Sequence, residues 1–479
     1  MKTPVVLLVK SRSLVSKIKK GTMPPVGLLY IAACLRKRLG AVVRVLDAMF
    51  EPDILKLVRD EIRARRPDVV GISALTAESF LAHRIAAAVK AENPLIPVVM
   101  GGPHPSCEPE DTVRDPNIDA VVIGEGEETF TELVRVIAEE GPRWREPETL
   151  RGVAGLAFAG EGGAEYSPPR APISDLDSLP FPAWDLIDYK KFWTTGGMAT
   201  VGIRPYMPIF TSRGCPYHCV FCHQLFGKTF RARSPENVAD EVAQLHKLGT
   251  RHIEVLDDIA NFDPDRFDRM LELLLERNLR SVLSFPNAIR ADLMRESSID
   301  LLKQVGTGEI SVAVETASER LQKLLNKNLS LDKVSRTINM LADRRIFTRG
   351  FFILGLPTET EREMRSTIRF AHSSRLHLAL FFNPNPYRNT EFYNMFAKAG
   401  KLRPEANTID YEYFGAPFNA SDMPDRTYRM LYRRAYYGFY LNPVRAYRIA
   451  RDGPFGWDIP ARAYGLFRNY TSFRRLKEN

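Results

Sequence analysis

Three of the five cysteines of this chain lie in one stretch, Thr211-Ser212-Arg213-Gly214-Cys215-Pro216-Tyr217-His218-Cys219-Val220-Phe221-Cys222. This stretch follows the apolar run Pro208-Ile209-Phe210, which predicts a strand, so the cysteines are expected on a loop at a strand end. Their spacing, C-x3-C-x2-C, is typical of a metal site, and three thiolates on a four-iron cluster would leave one iron open to a further ligand. A structural zinc ion would need a fourth ligand. Only His218 or His223 could supply it, at an unusual spacing, so we favour the iron–sulfur cluster.

The cysteine loop resembles the signature of the radical S-adenosylmethionine (SAM) superfamily, C-x3-C-x-aromatic-C. Cys215, Cys219 and Cys222 match its thiols, and Phe221 matches its aromatic residue. The resemblance implies a [4Fe–4S] cluster held by the three cysteines, with SAM bound to the open iron through its amino and carboxylate groups. It also implies reductive cleavage of SAM to methionine and a 5′-deoxyadenosyl radical, with Phe221 beside the adenine.

The composition of the 479 residues predicts a globular chain of two or three domains. Hydrophobic residues make up 44% of the chain and charged residues 26%, and the formal net charge is +9. No apolar run reaches the roughly 18 residues that a transmembrane helix needs, and the start of the chain lacks the pattern of a signal peptide. Five cysteines, three of them clustered, favour a reducing compartment, so we expect a cytoplasmic protein.

Residues 1–140 alternate strand-like and helix-like runs, which predicts an α/β domain with a Rossmann-like parallel sheet. Ligands bind such sheets at the carboxyl ends of the strands. Two of these ends are rich in glycine, at Gly101-Gly102 and at Gly124-Glu125-Gly126. Glycine allows a ligand to approach the backbone closely, although glycines at ordinary junctions between strands and loops would give the same pattern.

The register of these segments resembles the cobalamin-binding Rossmann-like domain, in which S-x-L and G-G elements cradle the nucleotide tail of vitamin B12. Ser73-Ala74-Leu75 and Gly101-Gly102 match these elements, but Met49 stands where that domain carries its cobalt-binding histidine. The resemblance therefore implies cobalamin without an axial imidazole from the protein, and places Leu75 and Thr76 beneath the corrin. The implied cobalamin contacts are Ser73, Leu75, Thr76, Gly101, Gly102, Gly124, Glu125 and Gly126.

A connector with a hairpin is expected over residues 141–205, followed by six strand and helix units over 206–395. Such units predict a partial (β/α)6 TIM-type barrel with its functional groups at the carboxyl ends of the strands. By resemblance to radical SAM barrels, Glu315 would bond the SAM ribose and the turn from Gly355 to Pro357 would lie against adenine. Asn287 and Arg290 would contact SAM or substrate. Arg388, after the sixth strand, suggests an anionic group on the substrate.

Residues 396–479 form a basic and aromatic extension that is predicted to be helical. From Asp425 to Asn479 there are 12 Lys and Arg against 4 Asp and Glu, and 13 aromatic residues. Tyr428, Tyr432 and Tyr436 recur every four residues with arginines one step further round, which indicates a helix with an aromatic face and a basic face. We favour a cap that packs its aromatic face on the barrel; a substrate lid and a peripheral membrane contact are the alternatives. No feature other than charge favours nucleic acid.

The whole chain resembles the cobalamin-binding radical SAM enzymes, and the leading prediction is an anaerobic C-methyltransferase. The pair of cofactors would methylate an unactivated carbon of a small apolar or anionic substrate through methylcobalamin, with an electron donor such as flavodoxin or ferredoxin. One alternative is ring closure or oxidation, as in the anaerobic tetrapyrrole cyclase branch of the family. A methylthiotransferase would need a second cluster, for which Cys34 and Cys107 are too few. A cobalamin- or metal-binding sensor without enzymatic activity is the alternative of another class.

Overall fold

Two sheets, one in each half of the chain, form the framework of the protein. The structure is a computed structural model that describes residues 3–14, 23–195, 197–199, 205–222, 225–402 and 418–453. Within them, the first half forms a 7-stranded sheet and the second half a 6-stranded sheet. One hydrophobic cluster, which includes Tyr30, Trp184 and Val242, runs through both halves, so the two sheets share a core.

The first sheet has the strand order β2-β1-β3-β4-β5-β6-β7. Its strands are β1 (Val5–Lys10), β2 (Val42–Asp47), β3 (Val69–Ser73), β4 (Val98–Gly101), β5 (Ala120–Val122), β6 (Leu156–Gly160) and β7 (Gly163–Tyr166). Its helices are α1 (Val26–Leu39), α2 (Ile54–Arg65), α3 (Ser79–Glu92), α4 (Pro103–Cys107), α5 (Pro109–Val113), α6 (Gly126–Glu140) and α7 (Pro147–Arg151). Strands β1 to β5 are parallel, as expected for apolar runs covered by helices on both faces.

The strand order of this sheet reverses between β1 and β3. The chain leaves β1 towards β2 on one side and returns to β3 on the other, which creates a crevice at the carboxyl ends of β1 and β3. Ser73 ends β3 at this point, and its carbonyl accepts a hydrogen bond from the backbone N–H of Ser11. The topology therefore places the predicted S-x-L segment at the switch point where ligands bind.

The predicted connector hairpin is present, and it extends the first sheet. Strands β6 and β7 pair antiparallel with each other, and β6 pairs antiparallel with β5. The hairpin is therefore part of the first sheet and not a separate link between the domains.

The second sheet is all parallel and has the order β15-β14-β13-β12-β11-β8. Its strands are β8 (Tyr206–Ile209), β11 (His252–Val255), β12 (Val282–Ile289), β13 (Glu309–Glu315), β14 (Phe347–Ile353) and β15 (Leu378–Phe382), and a separate pair consists of β9 (Ser212–Arg213) and β10 (Arg231–Ala232). The helices are α8 (Phe192–Thr195), α9 (Pro235–Lys247), α10 (Pro264–Glu276), α11 (Glu296–Val305), α12 (Glu319–Leu324), α13 (Leu331–Asp343), α14 (Glu361–Ser373), α15 (Glu391–Lys398), α16 (Asp425–Tyr440) and α17 (Pro443–Asp452). Consecutive parallel strands with intervening helices confirm the partial barrel.

Helix α16 packs its aromatic face on the barrel, as the tyrosine spacing predicts. Tyr428, Tyr432 and Tyr436 are buried, whereas Arg429 and Arg433 are exposed. The favoured interpretation of a helical cap is thus confirmed for this helix, while residues 403–417 and 454–479 of the predicted extension lie outside the described residues. Among the helices that the structure describes, none combines the length and apolar character needed to cross a membrane.

Candidate functional site

The cysteine loop is bracketed by the short strand pair β9 and β10 at the carboxyl end of β8. Gly214 takes a left-handed conformation with φ +82, and a Cβ at this position would overlap the backbone oxygen of Thr229. The backbone N–H of Cys215 then donates to the carbonyl of Gly227 at 3.2 Å. Glycine is required here because only a residue without a Cβ can turn the chain so close to the returning strand.

Two carboxylates that follow the neighbouring strand β11 hold the start of this loop. Asp257 is buried and accepts hydrogen bonds from the N–H and the hydroxyl of Thr211, at 2.6 and 2.5 Å, and from the hydroxyl of Ser212 at 2.6 Å. Asp258 accepts from the N–H of Gly214 at 3.1 Å. Hydrogen bonds to a charged acceptor are stronger than neutral ones, so the chain enters the loop in one conformation.

The far end of the loop is tied to the other side of the barrel. The N–H of Val220 donates to the carbonyl of Leu325 at 3.1 Å, and the carbonyl of Val220 accepts from Phe392 at 3.0 Å. The side-chain amide of Asn326 donates to the carbonyl of His218 at 3.0 Å. These bonds tie the loop to the residues after α12 and to the start of α15, at the barrel's strand ends.

The thiols of this loop fit an iron–sulfur cluster. Cys215 and Cys219 are half-buried, and burial raises the pKa of both thiols, so without metal they are protonated at neutral pH and iron would displace the protons. Within the residues that the structure describes, which exclude His223, no three His, Cys, Asp or Glu side chains converge on a single metal ion. Three thiols on one anchored loop are the ligand type and number that a four-iron cluster with one open iron requires.

The predicted SAM residues lie around the same end of the barrel. Glu315 closes β13 at a register shift, with a left-handed φ of +64, and its carboxylate lies 3.4 Å from the ammonium of Lys327. Burial raises the pKa of this carboxyl group. Unusual backbone conformations of this kind cluster at functional sites. Asn287 is exposed and its amide donates to the carbonyl of Leu256 at 2.7 Å.

The turn from Gly355 to Pro357 shares an apolar cluster with the cysteine loop. Leu356 is fully buried together with Val220, and Phe221 packs against the same cluster. Gly355 has a left-handed φ of +87, and a Cβ there would lie 2.8 Å from the ring of Tyr428. The close approach of α16 therefore explains this glycine within the structure itself, while the predicted adenine contact remains a prediction.

Two arginines that were assigned to SAM or substrate have protein partners. Arg290 pairs with Asp292 at 3.0 Å and its guanidinium stacks 3.6 Å from the ring centre of Tyr217 in the cysteine loop. Arg388 pairs with Asp111 of the first domain at 2.9 Å. Arg290 therefore supports the loop, and Arg388 forms an ion pair between the two halves of the chain; the predicted contacts of both arginines with ligands stay predictions.

The S-x-L and G-G segments meet at the carboxyl ends of β3 and β4. The N–H of Ala74 donates to the carbonyl of Gly101 at 3.2 Å. Gly102 has a φ of +95, and a Cβ there would lie 2.9 Å from the hydroxyl of Ser73. Leu75 projects from this edge with 47% of its surface exposed, and Thr76 begins a short 3-10 turn beside it. An exposed leucine above a glycine-lined edge fits the apolar face of a corrin.

The residues of the third glycine segment, from Gly124 to Gly126, have different surroundings. Gly124 is exposed, with a φ of +77, and no described atom lies within 4 Å of the position its Cβ would take, so the backbone here is open to a ligand. Gly126 begins α6, and a Cβ there would lie 2.9 Å from the side chain of Ile31. The carboxylate of Glu125 contacts Arg213 and Arg231, so this side chain lies at the domain interface, and the predicted contact of this residue with cobalamin stays a prediction.

Sequence reasoning missed the partners of Glu125. Glu127, Arg213 and Arg231 are buried and charged, and no periodicity distinguishes them from ordinary surface charges. The one available signal was position: Arg213 lies just before the cysteine motif and Glu127 just after the third glycine segment, whereas Arg231 adjoins neither.

Comparisons with known proteins agree with this geometry. The chain matches the B12 binding domain family over residues 14–134 and the radical SAM superfamily over residues 209–371. It is 32% identical over 449 residues to an uncharacterized methyltransferase of Pyrococcus horikoshii, covering 92% of this chain and 94% of that protein. This chain belongs to the cobalamin-binding radical SAM enzymes. The family assignment confirms the predicted cofactors: cobalamin, SAM and a [4Fe–4S] cluster.

Another relative represents the alternative chemistry in the family. The anaerobic magnesium-protoporphyrin IX monomethyl ester cyclase of Rubrivivax gelatinosus is 29% identical over 412 residues, covering 85% of this chain and 71% of that protein. Among solved structures, the radical SAM methyltransferase TsrM from Kitasatospora setae, with cobalamin and a [4Fe–4S] cluster bound, superposes with a TM-score of 0.71 at 19% identity. The match covers 92% of this chain and 89% of TsrM, and it confirms the fold.

Proposed function

We propose that this enzyme transfers a methyl group from SAM to an unactivated carbon of a small molecule. The observation that carries the proposal is the buried ion pair, at 2.6 Å, between Arg213, two residues before Cys215, and Glu127, which follows the third glycine segment of the first domain. When bound, SAM at the cluster supplies a hydrogen-abstracting radical and cobalamin supplies the methyl group. Such chemistry needs both cofactors next to one substrate carbon.

The residues of this chain would then hold each group in place. Cys215, Cys219 and Cys222 would bind the cluster, while Asp257 and Gly214 fix the loop that carries them. Phe221, Asn287, Glu315, Gly355 and Pro357 would bind SAM. Burial beneath the bound cofactors would exclude water from the reacting carbon.

The edge of the first sheet would hold cobalamin. Ser73, Gly101 and Gly102 would face the nucleotide tail, and Gly124, with open space beside it, would admit the ligand to the backbone. Leu75 and Thr76 would lie beneath the corrin, with no histidine at the position of Met49. The N–H of Leu75 donates to the carboxylate of Glu78 at 2.8 Å, which would keep this segment in place.

The proposed substrate is a small apolar or anionic molecule. Support for an anionic group comes from Arg290 and Lys327, two cations at this end of the barrel. Support for an apolar group comes from the phenylalanines of the apolar cluster around Leu356. The same basic side chains would also suit the carboxylate of SAM.

The redox partner and the surroundings of the enzyme are part of the same proposal. Reductive cleavage of SAM needs one electron, which a flavodoxin or ferredoxin would provide in the cytoplasm.

A peripheral membrane contact through α16 and α17 is supported by exposed Met430, Tyr437 and Leu441 beside exposed Arg429 and Arg433. The proposed domains are residues 1–140, a connector over 141–205, the barrel over 206–395 and the extension over 396–479.

The experiment that tests this function is anaerobic reconstitution with iron, sulfide and hydroxocobalamin, followed by dithionite and SAM. Mass spectrometry then measures the products. Formation of both 5′-deoxyadenosine and S-adenosylhomocysteine supports methyl transfer. Deoxyadenosine alone, with cobalamin still bound, supports the cyclase-like alternative that the Rubrivivax gelatinosus relative represents.

The matched control is the variant in which Cys215, Cys219 and Cys222 are all alanine. It should bind cobalamin normally, because the first domain is unchanged, but it should form no cluster and no deoxyadenosine. SAM cleavage retained by this variant would contradict the assignment of the cluster site.

A further inference from the structure

Four buried charges cross the interface between the first domain and the barrel. Arg213 lies 2.9 Å from Glu125 and 2.6 Å from Glu127, and Arg231 lies 2.9 Å from the second oxygen of Glu125. The four side chains are only 5% to 7% exposed. We call these residues the interdomain quartet.

The quartet has no net charge, and its hydrogen bonds restrict how the two domains are oriented. Burying a charge is unfavourable unless it is paired and hydrogen-bonded, and here two guanidinium groups meet two carboxylates. The guanidinium of Arg213 also lies 5.4 Å from the ring centre of Tyr30 and 5.1 Å from that of Phe226, so apolar walls screen it from water. The planar fork of arginine allows few arrangements of its partners. Relative motion of the two domains would therefore have to break several buried bonds at once.

The connector is tied into the same cluster. The N–H of Ile173 donates to Glu125 at 2.8 Å, and the carbonyl of Ile173 accepts from Arg231 at 2.6 Å. Arg231 also donates to the carbonyl of Phe226, within the segment between the cysteine loop and β10, at 2.9 Å. Three parts of the chain that are far apart in sequence are thus joined at one point.

The position of the quartet relates it to both cofactor sites. Arg213 is two residues before Cys215, and Glu125 directly follows Gly124 at the open edge of the first sheet. Because the covalent paths from Arg213 to Cys215 and from Glu125 to Gly124 are so short, the ion pair between Arg213 and Glu125 links the start of the cysteine loop to the predicted cobalamin edge.

We propose that the interdomain quartet consists of positioning residues that set the separation and orientation of the [4Fe–4S] cluster relative to cobalamin. This inference rests on the proposed function for the identity of the two sites. A positioning role differs from a purely stabilising one, because it predicts that the distance between the two metal centres changes when the quartet is broken.

The test compares Glu127→Gln and Arg213→Lys with the matched control Glu128→Gln. Glu127→Gln removes one charge of the quartet, and Arg213→Lys keeps the charge but loses the fork that reaches both carboxylates. Glu128 is the next residue of the same helix, and its ion pair with Arg38 is partly exposed and stays within the first domain. Iron, sulfide and cobalamin contents are measured for each reconstituted protein, with circular dichroism as the test of folding.

The readout is pulsed electron paramagnetic resonance of the reduced cluster and Co(II) cobalamin in the same molecule, which reports the distance between them. Wild type and Glu128→Gln should give one narrow distance distribution. Glu127→Gln and Arg213→Lys should lose this single distribution at full cofactor content. Because displacement of reacting groups by about 1 Å can slow a reaction about 100-fold, formation of S-adenosylhomocysteine should fall by up to about 100-fold.

An unchanged distance distribution in fully loaded Glu127→Gln and Arg213→Lys would overturn the proposal. So would folded variants that lose cobalamin or cluster while their remaining loaded fraction keeps the wild-type distance, because that pattern indicates a merely structural role. A failure of the proposed function is separate: it would appear as wild-type protein that binds both cofactors but forms no deoxyadenosine.

Discussion

Gly214 shows how a single residue controls the cluster site. Its left-handed conformation and its contact with the backbone of Thr229 leave no space for a side chain. Gly227 is a natural counterpart, because it also has a positive φ of +77 but no described atom lies within 4 Å of its Cβ position. Substituting alanine at each of the two glycines therefore distinguishes the effect of backbone strain from the effect of steric overlap.

We expect Gly214→Ala to abolish cluster assembly, because a methyl group would push the loop away from Thr229. Gly227→Ala should suffer only the strain of a left-handed alanine, about 1–2 kcal/mol, and should retain its cluster. Iron and sulfide content after anaerobic reconstitution measures both. Equal loss of the cluster in the two variants would mean that strain, and not overlap, is decisive.

Glu359 carries a buried carboxyl group that is only half satisfied. One oxygen accepts from the N–H groups of Gly355 and Leu356, at 2.6 and 3.1 Å. The other is buried and has no hydrogen-bond partner among the described residues. Burial raises the pKa of Glu359 from 4.5 to about 8, so the folded protein holds a proton there that the unfolded chain releases at neutral pH.

This pKa gives a signed prediction for stability. Since the folded pKa lies above the unfolded one, the free energy of unfolding should fall as pH rises from about 4.5 to about 8. Glu359→Gln stays neutral, so at alkaline pH it should exceed wild type by on the order of a few kcal/mol. Chemical denaturation at several pH values measures this. Glu361→Gln, on the exposed face of α14, is the control and should keep the wild-type slope.

At the scale of elements, helix α16 covers the open edge of the barrel and supplies hydrogen-bond partners for its last strand. Strand β15 is the last strand of the second sheet, and an unpaired edge exposes backbone groups. The hydroxyl of Tyr436 donates to the carbonyl of Phe381 at 2.9 Å and accepts from its N–H at 3.2 Å. Tyr440 does the same for Ala379, at 2.9 and 3.2 Å. Tyrosine hydroxyls thus take the place of a further strand.

Tyr436→Phe should destabilise the protein by about 1–3 kcal/mol, because it leaves the buried N–H of Phe381 without this acceptor. The carbonyl of Phe381 would keep the bond from the Tyr432 hydroxyl, at 3.0 Å. Tyr437→Phe changes the next residue, which is 49% exposed, and should alter stability by less than about 0.5 kcal/mol. Chemical denaturation of both variants gives the comparison. If Tyr436→Phe proved as stable as Tyr437→Phe, the hydroxyl would not be protecting the edge.

At the scale of the whole molecule, the two halves are joined by contacts of different strength. The interdomain quartet is buried, whereas the pair of Arg388 and Asp111 is half exposed, at 51% and 42%. The side-chain amide of Asn389 also donates to the carbonyl of Cys107 beside that pair. Exposed ion pairs contribute little and are screened by salt, so the quartet should dominate the coupling of the domains.

Accordingly, Arg388→Ala should lower the free energy of unfolding by no more than about 1 kcal/mol. The difference from wild type should disappear at high salt, because screening removes what the pair contributes. Thermal unfolding at low and high salt measures both effects. A large loss that persists at high salt would show that Arg388 has a further role.

Local patterns in the sequence determined much of this protein. The periodicity of apolar residues placed both parallel sheets, because strand and helix periods depend on neighbours in sequence. The spacing of three cysteines located the cluster loop, and the four-residue spacing of tyrosines identified the packed face of α16. In each case the relevant residues lie within a few positions of one another.

Only the tertiary structure decided which charges work together. Glu125 and Arg213 are 88 residues apart, and Arg388 and Asp111 are 277 residues apart. Sequence alone therefore did not show that Glu125 and Arg388 each form an ion pair with the opposite domain, and their predicted contacts with cobalamin and substrate stay predictions. The physical reason is that a buried charge finds its partner through folding of the whole chain, and no local pattern records a contact made over such a distance.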